Sequence, residues 1–135
     1  MIRSSTLYAI LAHATTIMIP FALMLIPIFN ATETIAEVDG LTQYIVKKVT
    51  LLDAHGDTML FIISFPWIVS GVSLMSIIMG KYQKSYSKRI AWRWKSYTWG
   101  SLFIMGCFVF LSIESVGLFY IPTIFLILLS IIFNK

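Results

Sequence analysis

Two groups of residues in this chain have the types and spacing to do chemistry. Asp53, His55 and Asp57 form a D-x-H-x-D run. In an extended backbone alternate side chains share a face, so two carboxylates and an imidazole would converge on a divalent metal ion. In a helix His55 would turn away from both acids, and Asp57 would instead cap the helix that follows it. The second group centres on His13, the one side chain whose ordinary titration range lies near neutral pH in an apolar stretch from about Leu7 to Phe29. An ionisable group at that depth in a membrane segment is a functional candidate by default. It could ligate haem, hydrogen-bond a quinone, or act as a neutral imidazole bonding across to a neighbouring helix. His55 cannot complete a bis-histidine haem site with it. From His13 to the far end of its segment is roughly 16 residues, or about 24 Å at helical rise, and His55 lies beyond that end.

The remaining chemical candidates are sparse. Cys107 is the only cysteine, which excludes an internal disulfide and a thiolate cluster; beside Gly106 it reads as a small packing residue. Glu114, the only acid in the second half, sits between Ser112 and Ser115 in what looks like a turn. Pro20 and Pro66 interrupt apolar stretches and would free backbone carbonyls there. Phe65-Pro66-Trp67 followed by Ser70, Gly71 and Ser73 sets a bend beside a small face. A groove for a lipid, a quinone or a partner helix would form there most easily, with tight packing around Trp67 as the alternative. The cofactor candidates are therefore His13, Pro66 and Trp67, with haem or quinone as the occupant. No nucleophile–base pair, nucleotide-binding loop or mid-segment carboxylate is present, so nothing points to catalysis by the chain alone.

The elements that must hold these residues follow from hydropathy. The chain is 59% apolar and 12% charged with a mean hydropathy of +0.88, which is far from the composition of a soluble domain. Four stretches approach the length of roughly 20 apolar residues that a spanning helix needs: about 7–29, 58–79, 97–113 and 118–133. Glu114 to Gly117 marks a tight turn between the last two, which are short. The expectation is an all-α integral membrane protein, one membrane domain over 1–135 folded as a bundle of four transmembrane helices. The first span is too long, and lacks the small residues, for a cleaved signal, so it reads as an anchor.

Orientation follows from the cations. Six of the ten lysines and arginines lie between Lys81 and Lys95. With both ends cytoplasmic, Arg3, that cluster and Lys135 fall inside, and only Lys47 and Lys48 fall outside. The outer loop, 30–57, has Leu41, Tyr44, Ile45, Val49 and Leu52 at helical spacing, which predicts an amphipathic helix; the β-branched Ile45, Val46 and Val49 leave a strand pair as the alternative. Asp39-Gly40 and His55-Gly56-Asp57 read as turns at either end. In the cytoplasmic loop, 80–96, aromatic residues recur about every fourth position, from Tyr82 and Tyr86 to Trp94, beside Lys81, Lys84, Lys88 and Lys95. This predicts an interfacial helix in which these lysines, Arg89, Arg93, Trp92 and Trp94 meet anionic headgroups or a partner protein. The loop is too short for a nucleic-acid-binding domain.

These features predict a non-catalytic subunit or interaction partner of a larger membrane assembly, in an anchor, accessory or immunity-type role. The alternatives are a haem- or quinone-binding respiratory anchor using His13, and a homo-oligomeric transporter or channel. In architecture the chain is similar to small multidrug exporters, to anchor subunits of respiratory dehydrogenases and to immunity proteins against pore-forming toxins. The exporters' essential first-span acid is replaced here by His13, and the anchors' histidine-arginine motif is missing. The expected location is a bacterial plasma membrane or an organellar inner membrane.

Overall fold

The computed structural model describes residues 4–38, 41–83 and 88–134. It is mostly helical, with a two-stranded sheet inserted after the first helix. Helix α1 runs Ser4–Leu25 and stops ahead of Pro27, whose ring disfavours helix at the residue before it. Strands β1, Phe29–Val38, and β2, Leu41–Val49, form an antiparallel hairpin in which Phe29 faces Val49 and Thr34 faces Tyr44, with a register shift between Thr34 and Ala36. A short helix α2, Leu51–His55, begins in a capping box. The Thr50 hydroxyl accepts from the Asp53 backbone N–H, and the Asp53 side chain accepts from the Thr50 N–H. Gly56, at φ +69°, turns the chain out of α2, a conformation that a side chain would disfavour. Helix α3 runs Thr58–Gln83 and α4 runs Lys88–Leu111. A 3-10 turn, Gly117–Tyr120, leads into α5, Ile121–Ile132, which has Pro122 in its first turn, where a missing N–H costs nothing.

The long helices pack antiparallel, α1 against α3 and α5, and α3 also against α4. The pairings fix the ends. Lys81 of α3 bonds Thr6 of α1, and the Tyr8 ring of α1 lies 5.4 Å from Phe133 just past α5. Gly80 of α3 lies against Trp94 of α4, and Phe65 of α3 lies 5.7 Å from Phe108 of α4. One end of the bundle therefore carries the start of α1, the end of α3, the start of α4 and the end of α5. The other carries the hairpin, α2 and the α4–α5 turn. At the hairpin end Leu23, Leu51, Ile63, Val109, Val116 and Tyr120 form an apolar core. Toward the other end a second core of Val69, Ile77, Met105, Ile127 and Ile131 is interleaved with small and hydroxylated buried residues: Ser5, Ala9, Ala12 and Thr16 on α1, Ser70, Ser73 and Ser76 on α3, Thr98 and Ser101 on α4, Thr123 and Ser130 on α5. Many other large apolar side chains face outward, among them Phe61 at 81% exposure, Leu111 at 83%, Leu25 at 77% and Phe110 at 75%.

Two expectations need correction. The protein is not all-α, and 41–49 is a strand, not part of an amphipathic helix: it pairs with the strand 29–38, and among the described residues of this loop Leu51–His55 alone is helical. The basic segment is not a separate interfacial helix, because α3 continues through Lys81 to Gln83 and positions 88–95 are the opening turns of α4. Lys84 and Tyr86 lie outside the described residues. Among the described residues two of the four expected spans, α1 and α3, are by themselves long and apolar enough to cross a membrane. Helix α4 has the length, but Lys88, Arg89, Arg93 and Lys95 crowd its first turns, and α5 has 12 residues, about 18 Å at helical rise.

Candidate functional site

His13 is the best-connected candidate. Its neighbours on α1, Ala9, Ala12 and Thr16, form the small buried face against which α3 packs. Opposite lies Gly71, where an added Cβ would meet His13 Cε1 at an ordinary contact distance of 3.5 Å. Trp67 and Ser70, one helical turn apart on α3, grip the ring from two directions. Trp67 Nε1–H donates to His13 Nε2 at 3.2 Å, and His13 Nδ1 lies 2.9 Å from Ser70 Oγ. An indole nitrogen can only donate, so Nε2 is the unprotonated nitrogen. Nδ1 then carries the proton and gives it to Ser70. Thr16 donates its hydroxyl to the His13 carbonyl at 2.7 Å, which leaves its oxygen to accept from Ser70 at 2.8 Å. The Ser70 hydroxyl is also 2.9 Å from the Trp67 carbonyl. The result is a neutral histidine clamped between two helices, its ring nearly parallel to the Trp67 indole at 20° and 6.3 Å.

This geometry bears on the cofactor candidates. An axial ligand needs a ring nitrogen with a free lone pair, and the one unprotonated nitrogen here already accepts from Trp67. Pro66 is buried on the α3 face turned inward, so it shapes the helix and offers no ligand. Beside the Trp67–His13 pair, on the hairpin side, a crevice of about 250 Å³ opens between α1 and α3. Its walls are Ile17, Pro20, Phe21, Met24, Leu60 and Ile63, with Thr16, Ser64 and Trp67 as its polar residues. All three are already bonded, Thr16 to His13 O, Ser64 to Leu60 O at 2.6 Å, and Trp67 to His13. The crevice therefore presents a hydrocarbon-like lining.

The metal candidates do not converge. The segment Leu51–His55 is helical, so the extended alternation that would bring Asp53, His55 and Asp57 together is missing. Asp53 binds the Thr50 hydroxyl at 2.6 Å, the His55 ring lies 5.8 Å from Phe29, and Asp57 stands at the start of α3. Among the described residues no three His, Cys, Asp or Glu side chains gather where they could hold a metal ion. Of the proposed lipid or partner contacts, Arg89, Trp92, Arg93 and Lys95 are exposed on the first turns of α4. Trp94 instead turns inward and donates to Gln83 Oε1 at 2.5 Å. Lys81 bonds Thr6. Glu114 is exposed in the turn after α4. Cys107 is exposed, lining a second apolar crevice between α3 and α4 with Phe65 and Phe103.

Sequence reasoning left out two groups that the fold brings together. Ser70 as the acceptor from His13 lies 57 positions away, and Thr15 bonds Thr123 across α1 and α5 at 2.9 Å over 108 positions. The only available signal was their size, small hydroxyl residues recurring on one face of each helix. Comparison with protein-family models, with curated proteins and with solved structures finds no match to this chain.

Proposed function

We propose that this chain crosses a membrane four times, with the hairpin outside and both ends inside, as a non-catalytic subunit or interaction partner of a larger membrane assembly. The observation that carries the reading is the inverted packing. Phe61, Phe103, Phe110, Leu111 and Leu25 point away from the bundle while Ser70, Ser73, Thr98, Ser101 and Thr123 are buried. In water a surface of that kind would drive aggregation. In hydrocarbon, apolar side chains lose nothing by facing out, and small or hydroxylated residues let helices approach closely. Helix α4 crosses with its apolar part after the basic turns, and the 3-10 turn and α5 cross together, with the 16 residues of Gly117–Ile132. The non-catalytic reading is supported by the state of the polar groups: both His13 nitrogens are bonded, Asp53 is tied into its cap, and Glu114 faces outward at a turn.

The Lys81–Lys95 cluster would face the cytoplasmic leaflet, where each cation near an anionic surface gains about 1 kcal/mol. A bacterial plasma membrane fits this best. The crevice beside Trp67 favours one further element of the proposal, an acyl or prenyl chain as its occupant, since its lining has no unbonded polar group to offer a headgroup. Gentle detergent extraction followed by identification of co-purifying proteins, with an absorption spectrum on the same sample, tests the reading. A colourless preparation with a stoichiometric membrane partner is the expected result. A Soret band that disappears on His13→Ala would replace it with the respiratory-anchor reading. Solute flux from the purified chain alone in proteoliposomes would replace it with the transporter reading.

A further inference from the structure

Cations and acids are segregated in this molecule. All six aspartates and glutamates lie between Glu33 and Asp57 or at Glu114, in segments that belong to the hairpin end. The described part of the basic end therefore has no carboxylate side chain to answer Lys81, Arg89, Arg93 and Lys95. On α4, Arg89, Arg93 and Tyr97 fall four residues apart and so share one edge of the helix, and all three are exposed. Where that row ends, a groove of about 490 Å³ begins between α3 and α4. Ile68, Gly71, Val72 and Met75 of α3 line one side of it, Trp94 and Tyr97 of α4 the other. Ser76, also in its wall, donates to Val72 O at 2.7 Å, and Trp94 Nε1–H is held by Gln83 Oε1 at 2.5 Å. The Tyr97 ring stands edge-on to Trp94 at 5.7 Å. The groove is thus hydrocarbon-lined below an aromatic mouth, and Tyr97 belongs both to it and to the arginine row.

We infer that the groove holds an acyl chain of an anionic phospholipid whose phosphate rests on Arg93 and Arg89. The site rests on the proposed arrangement in which α3 and α4 cross the bilayer with their basic ends at the cytoplasmic leaflet. Two features select this occupant. The first is charge complementarity joined to the groove: Arg93 lies one turn, about 6 Å at helical rise, before Tyr97, so one ligand must be anionic at one end and hydrocarbon at the other. Guanidinium groups are suited to phosphate oxygens, which they can meet with paired hydrogen bonds. The second is the rim. Membrane helices meet closely through small residues, whereas Ile68, Val72, Met75 and Tyr97 are large and exposed by 47–61%. Such a rim suits a flexible chain better than a partner helix. From Ile68 to Met75 the groove follows about 10 Å of α3, a length that an acyl chain can lie along.

Lipid retention by the full chain tests this. After reconstitution in vesicles of equal phosphatidylglycerol and phosphatidylcholine and re-extraction in mild detergent, mass spectrometry should find phosphatidylglycerol retained in preference. Arg93→Gln should lower that preference about fivefold or more, the equivalent of one interfacial cation. Val72→Trp, at an exposed position that leaves the core alone, should displace the lipid with both arginines intact. Lys95→Gln removes the same charge two residues on, over half a turn around α4, and should change nothing. Equal losses from Arg93→Gln and Lys95→Gln would mean diffuse attraction to the leaflet and would overturn the site, as would retention that ignores Val72→Trp. So would an acidic protein that co-purifies from native membranes and is lost with Arg93→Gln while lipid retention stays the same. Protein that resists alkaline extraction from the vesicles yet prefers neither lipid overturns the site alone. Protein released by alkali overturns the membrane reading beneath it.

Discussion

At His13 two hydrogen bonds of opposite polarity act on one ring, Trp67 donating to Nε2 and Nδ1 donating to Ser70. Removing either partner leaves a polar atom that the surrounding apolar side chains cannot answer. Interhelical hydrogen bonds within a membrane are worth about 0.6 kcal/mol on average and up to roughly 2, so a double-mutant cycle should resolve this one. His13→Ala, Ser70→Ala and the double variant, compared by unfolding in detergent, should show a coupling of about 0.6–2 kcal/mol. Strict additivity would mean that the contact contributes nothing. The sequence exposed part of this site. A histidine six residues into an apolar span, on a face of alanine and threonine, already implied either a ligand or a neutral imidazole bonding to another helix. It could not name Ser70 as the partner, because that depends on the relative register of α1 and α3, which no local pattern encodes.

Among the elements, the hairpin shows where periodicity misleads. Leu41, Tyr44, Ile45 and Val49 fit a helical stripe, yet the same residues also fit a strand, and the deciding information lay in 29–38, which supplies the pairing partner. The strands end at Val38 and resume at Leu41, and the expected turn at Asp39-Gly40 lies outside the described residues. The turn between α4 and α5 was legible from Glu114 and Gly117, and the structure gives the glycine its reason. A Cβ on Gly117 would lie 2.4 Å from the Val109 carbonyl oxygen and 2.7 Å from the Ser112 carbonyl carbon, while the Gly117 N–H donates to Ser112 O at 2.7 Å. These are backbone atoms, which cannot rotate aside. Gly117→Ala should therefore force the turn open and destabilise the protein by about 1–3 kcal/mol, the usual range for overpacking, measured as a lower melting temperature in detergent. Gly71→Ala, whose Cβ meets His13 at an ordinary 3.5 Å, serves as the tolerated control.

For the whole molecule, ordinary amphipathic reasoning had little to work with, because both faces of each helix lack charge over most of their length. The inward face of α1 is marked by small size, Ser5, Ala9, Ala12 and Thr16 recurring every third or fourth residue, while that of α4, Thr98, Ser101, Met105 and Val109, grades from small to large toward the hairpin end. The cations carry the other global signal. Antiparallel packing gathers the start of α1, the end of α3 and the start of α4 at one end, so Lys81, Arg89, Arg93 and Lys95 share a side opposite the hairpin. Counted along the sequence, eight cations flank the helix ends of that side against Lys47 and Lys48 in the hairpin, which predicts that the hairpin is exported and the connector is retained. In a Cys107→Ser background, Thr32→Cys should react with a membrane-impermeant maleimide on intact cells, and Arg89→Cys only after permeabilisation. Reaction of both from outside would show that the chain between them does not cross the bilayer, and the reverse pattern would invert the orientation. Exchanging the bias should invert it as well. Neutralising Arg89, Arg93 and Lys95 on the exposed first turns of α4 while adding three lysines around Thr34 leaves the buried helix faces untouched. The Thr32→Cys label should then become accessible only after permeabilisation in a measurable fraction of molecules, because little besides charge distinguishes the two ends.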